Sequence, residues 1–293
     1  MPPRQKAWKP ICRPSREPVA ARVYGQRPKG ETVPLVLHFH GGTFVCGGLD
    51  NGRNVARLLV GAGAVVVSVA YPLAPKSPFP EPIEVGYAAL EWLYKQRTKL
   101  GGKGALVYLA GEEAGGNLAA AVALIARDRA HPPLAGQILL SPMLDPCAGT
   151  ASLRNATNDA AECRWASGWE KYLSCPSNAT HPYAVPSGSL RLSALAPALV
   201  LVGQDDAMRD EALTFAGRLR GAGIEVTSSV LPQALAGGGR QLLIVVRHDV
   251  SSFSMTFGMQ QATPALLAPG GGFQEKRGRS PALIEAAAVS GRC

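Results

Sequence analysis

Aromatic residues are scarce, 6% of 293, so a core built from this chain has to rest on Ala, Val and Leu. No run of eighteen apolar residues appears, because Gly, Pro or charge breaks every long apolar stretch, which argues against a membrane-spanning helix. The first ten residues, MPPRQKAWKP, are basic but lack the apolar stretch of a secretory signal, which points to a cytoplasmic location. Six cysteines (Cys12, Cys46, Cys147, Cys163, Cys175, Cys293) contain no C-x-x-C pair, and the nearest two, Cys163 and Cys175, stand twelve positions apart. Neither a zinc ligand set nor a disulfide framework is expected, and the cysteines read as reduced thiols. There is no internal repeat.

What is present is a hydrophobic fraction of 46%, enough for one large α/β domain. The net charge of +9 is unevenly placed. Residues 1–30 carry eight Lys/Arg against one Glu, and residues 231–293 carry six against three acids. The stretch between them holds sixteen basic and seventeen acidic groups and is nearly neutral. Positive charge confined to the two ends suits a solvated leader better than a polyanion site, and no nucleic-acid motif accompanies it.

Strand and helix signals alternate from about residue 31 to residue 231. Val33–Phe39, Ala64–Ala70, Ala105–Ala110, Gly136–Leu140, Ala198–Val202 and Glu225–Leu231 read as strands. Arg53–Gly63, Pro80–Arg97, Ala114–Arg129 and Asp210–Gly221 read as helices. Continuous apolar strands alternating with helices imply an α/β fold, with a mainly parallel sheet of about seven or eight strands covered on both faces. Residues 146–197 interrupt the alternation and read as an insertion at one end of the sheet. Three domains of behaviour result: a basic leader over 1–18, an α/β body over 19–231 and a divergent tail over 232–293. Within the tail, Pro281–Val289 has a helix-like pattern.

Three segments carry chemical meaning. His40-Gly41-Gly42-Thr43-Phe44 follows a strand, and its consecutive glycines let the backbone turn sharply and present N–H groups to an oxyanion. Gly111-Glu112-Glu113-Ala114-Gly115 lies between strand and helix, with the outer glycines spaced as in the nucleophile elbow G-x-S-x-G. Asp206-Ala207-Met208-Arg209-Asp210-Glu211 follows a late strand.

On these residues the chain resembles the bacterial hormone-sensitive-lipase family, a branch of the α/β hydrolases that cleaves small acyl and acetyl esters. The family's HGGG-F is matched by HGGTF at 40–44 and its Y-R-L-A-P-E by Tyr71-Pro72-Leu73-Ala74-Pro75-Lys76. Its elbow G-D-S-A-G-G-N is matched by GEEAGGN at 111–117, and its D-P-L-R-D-E by DAMRDE at 206–211. The resemblance covers residues 19–231 and implies an α/β-hydrolase fold with a short or reduced cap. It also implies oxyanion donors at the backbone N–H groups of Gly41, Gly42 and Ala114, and a triad acid at Asp206. Glu113 stands at the nucleophile position. The family's H-G-F loop is missing, since no histidine falls between Asp206 and Arg247, and His248 is the only later candidate for a base. The break in pattern after Leu231 has two explanations, true divergence or a shift of reading frame in the gene.

Ester hydrolysis by this family needs an activated hydroxyl, a base and an oxyanion hole. With Glu113 in place of the serine, the resemblance implies a weak or inactive esterase that acts without metal or organic cofactor. Two alternatives stand beside it: a non-catalytic pseudo-esterase that binds small acyl-ester or carbonyl ligands or a partner, and non-serine chemistry dependent on Glu113. His40 is expected to position the glycine loop, and His38 to be packed. Trp165, Trp169 and Tyr172 are expected to pack a cap.

Overall fold

Five consecutive strands of the sheet are buried along nearly their whole length, as a parallel sheet covered on both faces requires. They are β2 (Leu35–Phe39), β3 (Val65–Val69), β4 (Val107–Glu112), β5 (Gly136–Leu140) and β6 (Ala198–Gly203). The structure, a computed structural model, describes residues 19–146, 149–156, 159–232 and 282–284. Its eight-stranded sheet adds β1 (Val19–Tyr24), β7 (Val226–Leu231) and β8 (Ala282–Ile284), in the order β7-β6-β5-β4-β2-β3-β1-β8. All neighbours are parallel except β1, which runs antiparallel to both β3 and β8.

The helices are α1 (Arg53–Gly61), α2 (Glu81–Leu100), α3 (Ala114–Asp128), α4 (Ala151–Ala156), α5 (Asp159–Leu173) and α6 (Arg209–Gly221). Helix α2 shows why its sequence stops and starts where it does. Pro82 sits in the first turn, where its missing N–H costs nothing, with Glu81 and Glu84 beside it and Arg97 and Lys99 in the last turn. Helix α3 is buried without interruption from Ala114 to Ala126. Only small side chains let a helix lie that close to a sheet, which accounts for its run of alanines.

Period-two alternation divides the core. Leu35, Leu37 and Phe39 of β2 join Leu90, Leu118 and Phe215 on one face. Val36, Val66, Tyr108, Ile138 and Leu199 join Ala56 and Leu59 of α1 on the other.

The expected strands and helices are all present, with ends displaced by up to three residues. Three regions differ in kind. Val19–Tyr24 was not among the expected strands and forms β1. The insertion contains α4 and α5, whose polar and aromatic residues carry no clean helical stripe because α5 packs across a loop rather than onto the sheet. Ala282–Ile284, expected within a helix-like end, instead pairs with β1 as an antiparallel strand. Three apolar residues are too few for periodicity to separate helix from strand, and the open edge of β1 supplies backbone partners that a helix would not use. Among the described residues, no helix is long and apolar enough to cross a membrane.

Candidate functional site

The elbow between β4 and α3 is a strained turn centred on Glu113, with φ 49° and ψ −118°. A non-glycine residue held there costs about 1–3 kcal/mol and persists only where its surroundings fix it. Here the fixing is backbone hydrogen bonding. Glu113 N–H donates to the Leu140 carbonyl at 3.0 Å, and the Glu113 carbonyl accepts Gly116 N–H at 3.0 Å, Asn117 N–H at 3.2 Å and Met143 N–H at 3.0 Å. The flanking glycines are geometric necessities. A Cβ on Gly111 would stand 2.0 Å from the Gly115 carbonyl oxygen, and one on Gly115 would stand 2.2 Å from that of Phe39.

The loop after β2 is fixed as tightly. Gly42 has φ 125°, and a Cβ there would lie 2.1 Å from the Cys46 carbonyl oxygen. His40 holds the loop as expected. Its ring stacks on Tyr71 at 4.3 Å, and its Nδ1 donates to the Gly41 carbonyl at 2.7 Å. The Tyr71 hydroxyl donates to the His40 carbonyl at 2.8 Å. Thr43 and Phe44 both take left-handed backbone, φ 51° and 66°. Phe44 is covered by the insertion, with ring centroids 4.0 Å from Tyr172 and 4.8 Å from Trp169. Gly168 of α5 lets this happen, since a Cβ there would meet the Thr43 carbonyl oxygen at 2.4 Å. Trp169 and Tyr172 of the insertion therefore pack on the glycine loop.

Elbow and loop meet through the side chains of Glu112 and Glu113, whose Cγ and Oε2 atoms, respectively, each lie 3.3 Å from where a Cβ on Gly41 would stand. Gly42 N–H donates to Glu113 Oε2 at 3.1 Å. Ala114 is the fully buried first residue of α3, directly after Glu113.

Behind this contact lies a polar trio. Alternation along β2, β3 and β4 puts His38, Ser68 and Glu112 on the same face, and the parallel register aligns His38 with Ser68 and with Ala110. His38 Nδ1 is hydrogen-bonded to Ser68 Oγ at 2.8 Å. Its Nε2 faces Glu112 Oε1 at 3.8 Å, beyond hydrogen-bond reach, and neither atom has a hydrogen-bond partner among the described residues. Gly52 leaves room for the ring, for its Cβ would lie 2.5 Å from His38 Cε1. Burial, then the neighbouring His40, pushes His38 down to about 3, so the imidazole is neutral. Burial first, and the charge of Glu113 second, push Glu112 up to about 7, with the backbone of Gly41 acting the other way. His38 was expected only to be packed; strand alternation gives the face it shares, and the register of the sheet gives its polar partners. Glu112 was part of the elbow motif without a role.

Asp206 is held elsewhere. One carboxylate oxygen, Oδ2, accepts the Ser141 hydroxyl, and the other, Oδ1, accepts Met208 N–H at 2.8 Å. With β5 lying between β4 and β6, the segment after β5 links both groups: Leu140 binds the Glu113 backbone and Ser141 binds Asp206. Ser141 had been read only as part of a family match. Glu211, at the end of the same motif, is buried and accepts Leu144 N–H at 3.3 Å and Asp145 N–H at 3.1 Å. Burial pushes it up to about 8. A cavity of about 230 Å³ lies beside it, walled by Leu153, Trp165, Trp169 and Met208; Gly41, Gly42 and Glu113 do not line it. His248, the remaining candidate base, lies outside the described residues, as do the leader and nearly all of the tail. Among the described residues no group of three or more His, Cys, Asp or Glu is placed to hold a metal ion.

Residues 36–237 match the family model described as the alpha/beta hydrolase fold. The chain is similar to the carboxylesterase NlhH of Mycobacterium tuberculosis, 35% identical over 241 residues, covering 78% of this chain and 73% of that one. It is also similar to the gibberellin receptor GID1C of Arabidopsis thaliana, 33% identical over 222 residues, 71% of this chain and 63% of the relative. Among solved structures, the Pyrobaculum calidifontis esterase superposes with a TM-score of 0.73 at 33% identity, covering 80% of this chain and 81% of that one.

Proposed function

The chain belongs to the α/β-hydrolase-fold family, and from that premise we propose that it is a pseudo-esterase, a carboxylesterase relative that binds small carbonyl compounds and hydrolyses esters weakly or not at all. The observation that carries this reading is Glu113. It occupies the elbow in the strained backbone geometry that an exposed nucleophile needs, yet it brings a carboxylate in place of a hydroxyl. A carboxylate is a poor nucleophile toward esters, and beside Gly42 N–H it repels the anionic intermediate that those N–H groups would stabilise. Among the described residues Asp206 is hydrogen-bonded by Ser141 and Met208 and by no histidine. A relative 33% identical to this chain is named as a receptor, which supports a binding role.

The test is hydrolysis of p-nitrophenyl acetate by the full chain and by Glu113→Ala. Equal, background-level rates are expected. A hundredfold or greater excess in the unsubstituted protein would overturn the reading and restore a carboxylate nucleophile.

A second reading, acid–base chemistry on a non-ester substrate, is favoured by Glu112. Glu112, adjacent to Glu113, is pushed up to about 7 by burial and by the charge of Glu113, a range in which a carboxyl group exchanges a proton near neutral pH. Its test is loss of any activity found on both Glu112→Gln and Glu113→Gln.

A further inference from the structure

The elbow backbone is fixed, so the bond count from Cβ sets how far the side-chain atoms of residue 113 reach, and rotation about its bonds sets their direction. In glutamate the path from Cβ runs through Cγ and Cδ to Oε. In an acylated serine the path from Cβ runs through Oγ and the acyl carbon to the acyl oxygen. The two paths have the same number of bonds, so the carboxyl group of Glu113 has the reach of an acyl group bonded to serine. The observed contact agrees with this count, for Glu113 Oε2 accepts Gly42 N–H at 3.1 Å. It also stands 3.3 Å from the place a Cβ on Gly41 would take, so the carboxyl lies directly against both glycines of the loop.

We propose that Glu113 is a permanent, non-covalent mimic of the acyl-enzyme: its carboxylate fills the oxyanion position on the Gly41–Gly42 loop, and that loop, once vacated, is a binding site for small monocarboxylates. The inference rests on the pseudo-esterase reading and adds what occupies the site. A hydrogen bond from an N–H to a carboxylate is among the stronger kinds. The donor belongs to a loop locked by the His40–Tyr71 stack and by the clash that forbids a side chain on Gly42. The loop is therefore preorganised for an anionic oxygen whether or not Glu113 supplies it.

The experiment titrates sodium acetate into the full chain and into Glu113→Ala, Glu113→Gly and Glu113→Gln, against sodium chloride at equal ionic strength. Binding is followed by calorimetry and by thermal shift. The Ala and Gly variants should bind acetate saturably, about tenfold or more tighter than the unsubstituted chain. The Gln variant should resemble the unsubstituted chain, since its amide oxygen still accepts from Gly42. Equal acetate affinity in all four proteins, or none in the Ala and Gly variants, overturns the proposal. Should both of those variants fail to fold, hydrogen exchange of the Gly42 amide in the unsubstituted chain decides: slow exchange is expected, and exchange at the rate of an open loop amide overturns it. Ester hydrolysis measured on the same samples keeps the two readings apart. Turnover by the unsubstituted chain sinks the pseudo-esterase reading, whereas the acetate pattern alone sinks this one.

Discussion

Replacing Glu211 by glutamine should remove a large part of the pH dependence of stability. Glu211 is 7% exposed, at the start of α6, and its two carboxyl oxygens receive the N–H groups of Leu144 and Asp145. Burial is the main cause of its displacement from 4.5 to about 8; the two N–H donors oppose it, and the charges of Asp145 and Asp206 add to it. The fold thus favours the protonated form. Its contribution is fully present below about pH 4.5 and is lost as pH rises through about 8. A displacement of that size corresponds to about 4–5 kcal/mol across the interval. Glutamine imitates the neutral acid but offers one acceptor oxygen instead of two, so the variant should be about 1–3 kcal/mol less stable at pH 5. By pH 8 the difference should vanish or reverse. Urea denaturation of both proteins at pH 5, 6, 7 and 8, at constant ionic strength, measures it. Glu112 titrates in both proteins, so its effect cancels in the comparison. Parallel stability curves for the two proteins, or a natural chain that gains stability over the variant as pH rises, would refute the reasoning.

Gly115→Ala should unfold the chain or lower its stability by more than about 3 kcal/mol, because the new Cβ meets backbone oxygens of Phe39 and His40 at 2.2 and 2.5 Å; circular dichroism melting will show it. Ser68→Ala should cost about 1–3 kcal/mol by leaving buried His38 Nδ1 unpaired, measured by urea denaturation. Glu113→Ser should leave p-nitrophenyl acetate hydrolysis near background, because Asp206 is engaged by Ser141 and Met208 and is hydrogen-bonded to no imidazole among the described residues. Efficient turnover in that variant, abolished by a further His248→Ala, would show that His248 reaches the elbow.

Much of the site was legible in one dimension because it is backbone geometry. The glycines at 42, 111 and 115 mark places where a side chain would collide, and such steric demands leave the same spacing in any chain that makes the turn. The location of Glu113 on the elbow followed from them. Residues whose roles depend on partners far along the chain were not legible in this way. Ser141 reaches Asp206 across sixty-five positions, and Gly42 reaches Glu113 across seventy-one. His38, Ser68 and Glu112 form an intermediate case: alternation puts each on a known face, but only strand register makes them neighbours.

The sequence by itself determined the order of strands and helices, the parallel core and the elbow, because period, apolarity and glycine placement act locally. Tertiary structure decided the rest. It packed α5 against the glycine loop, since Gly168 gains its meaning only when the Thr43 carbonyl lies 2.4 Å from its absent Cβ. It turned Ala282–Ile284 into a strand, because the edge of β1 offered hydrogen bonds that no local pattern encodes. And it aimed the carboxylate of Glu113 at Gly42 N–H, a direction fixed by the meeting of two turns and written in neither of them.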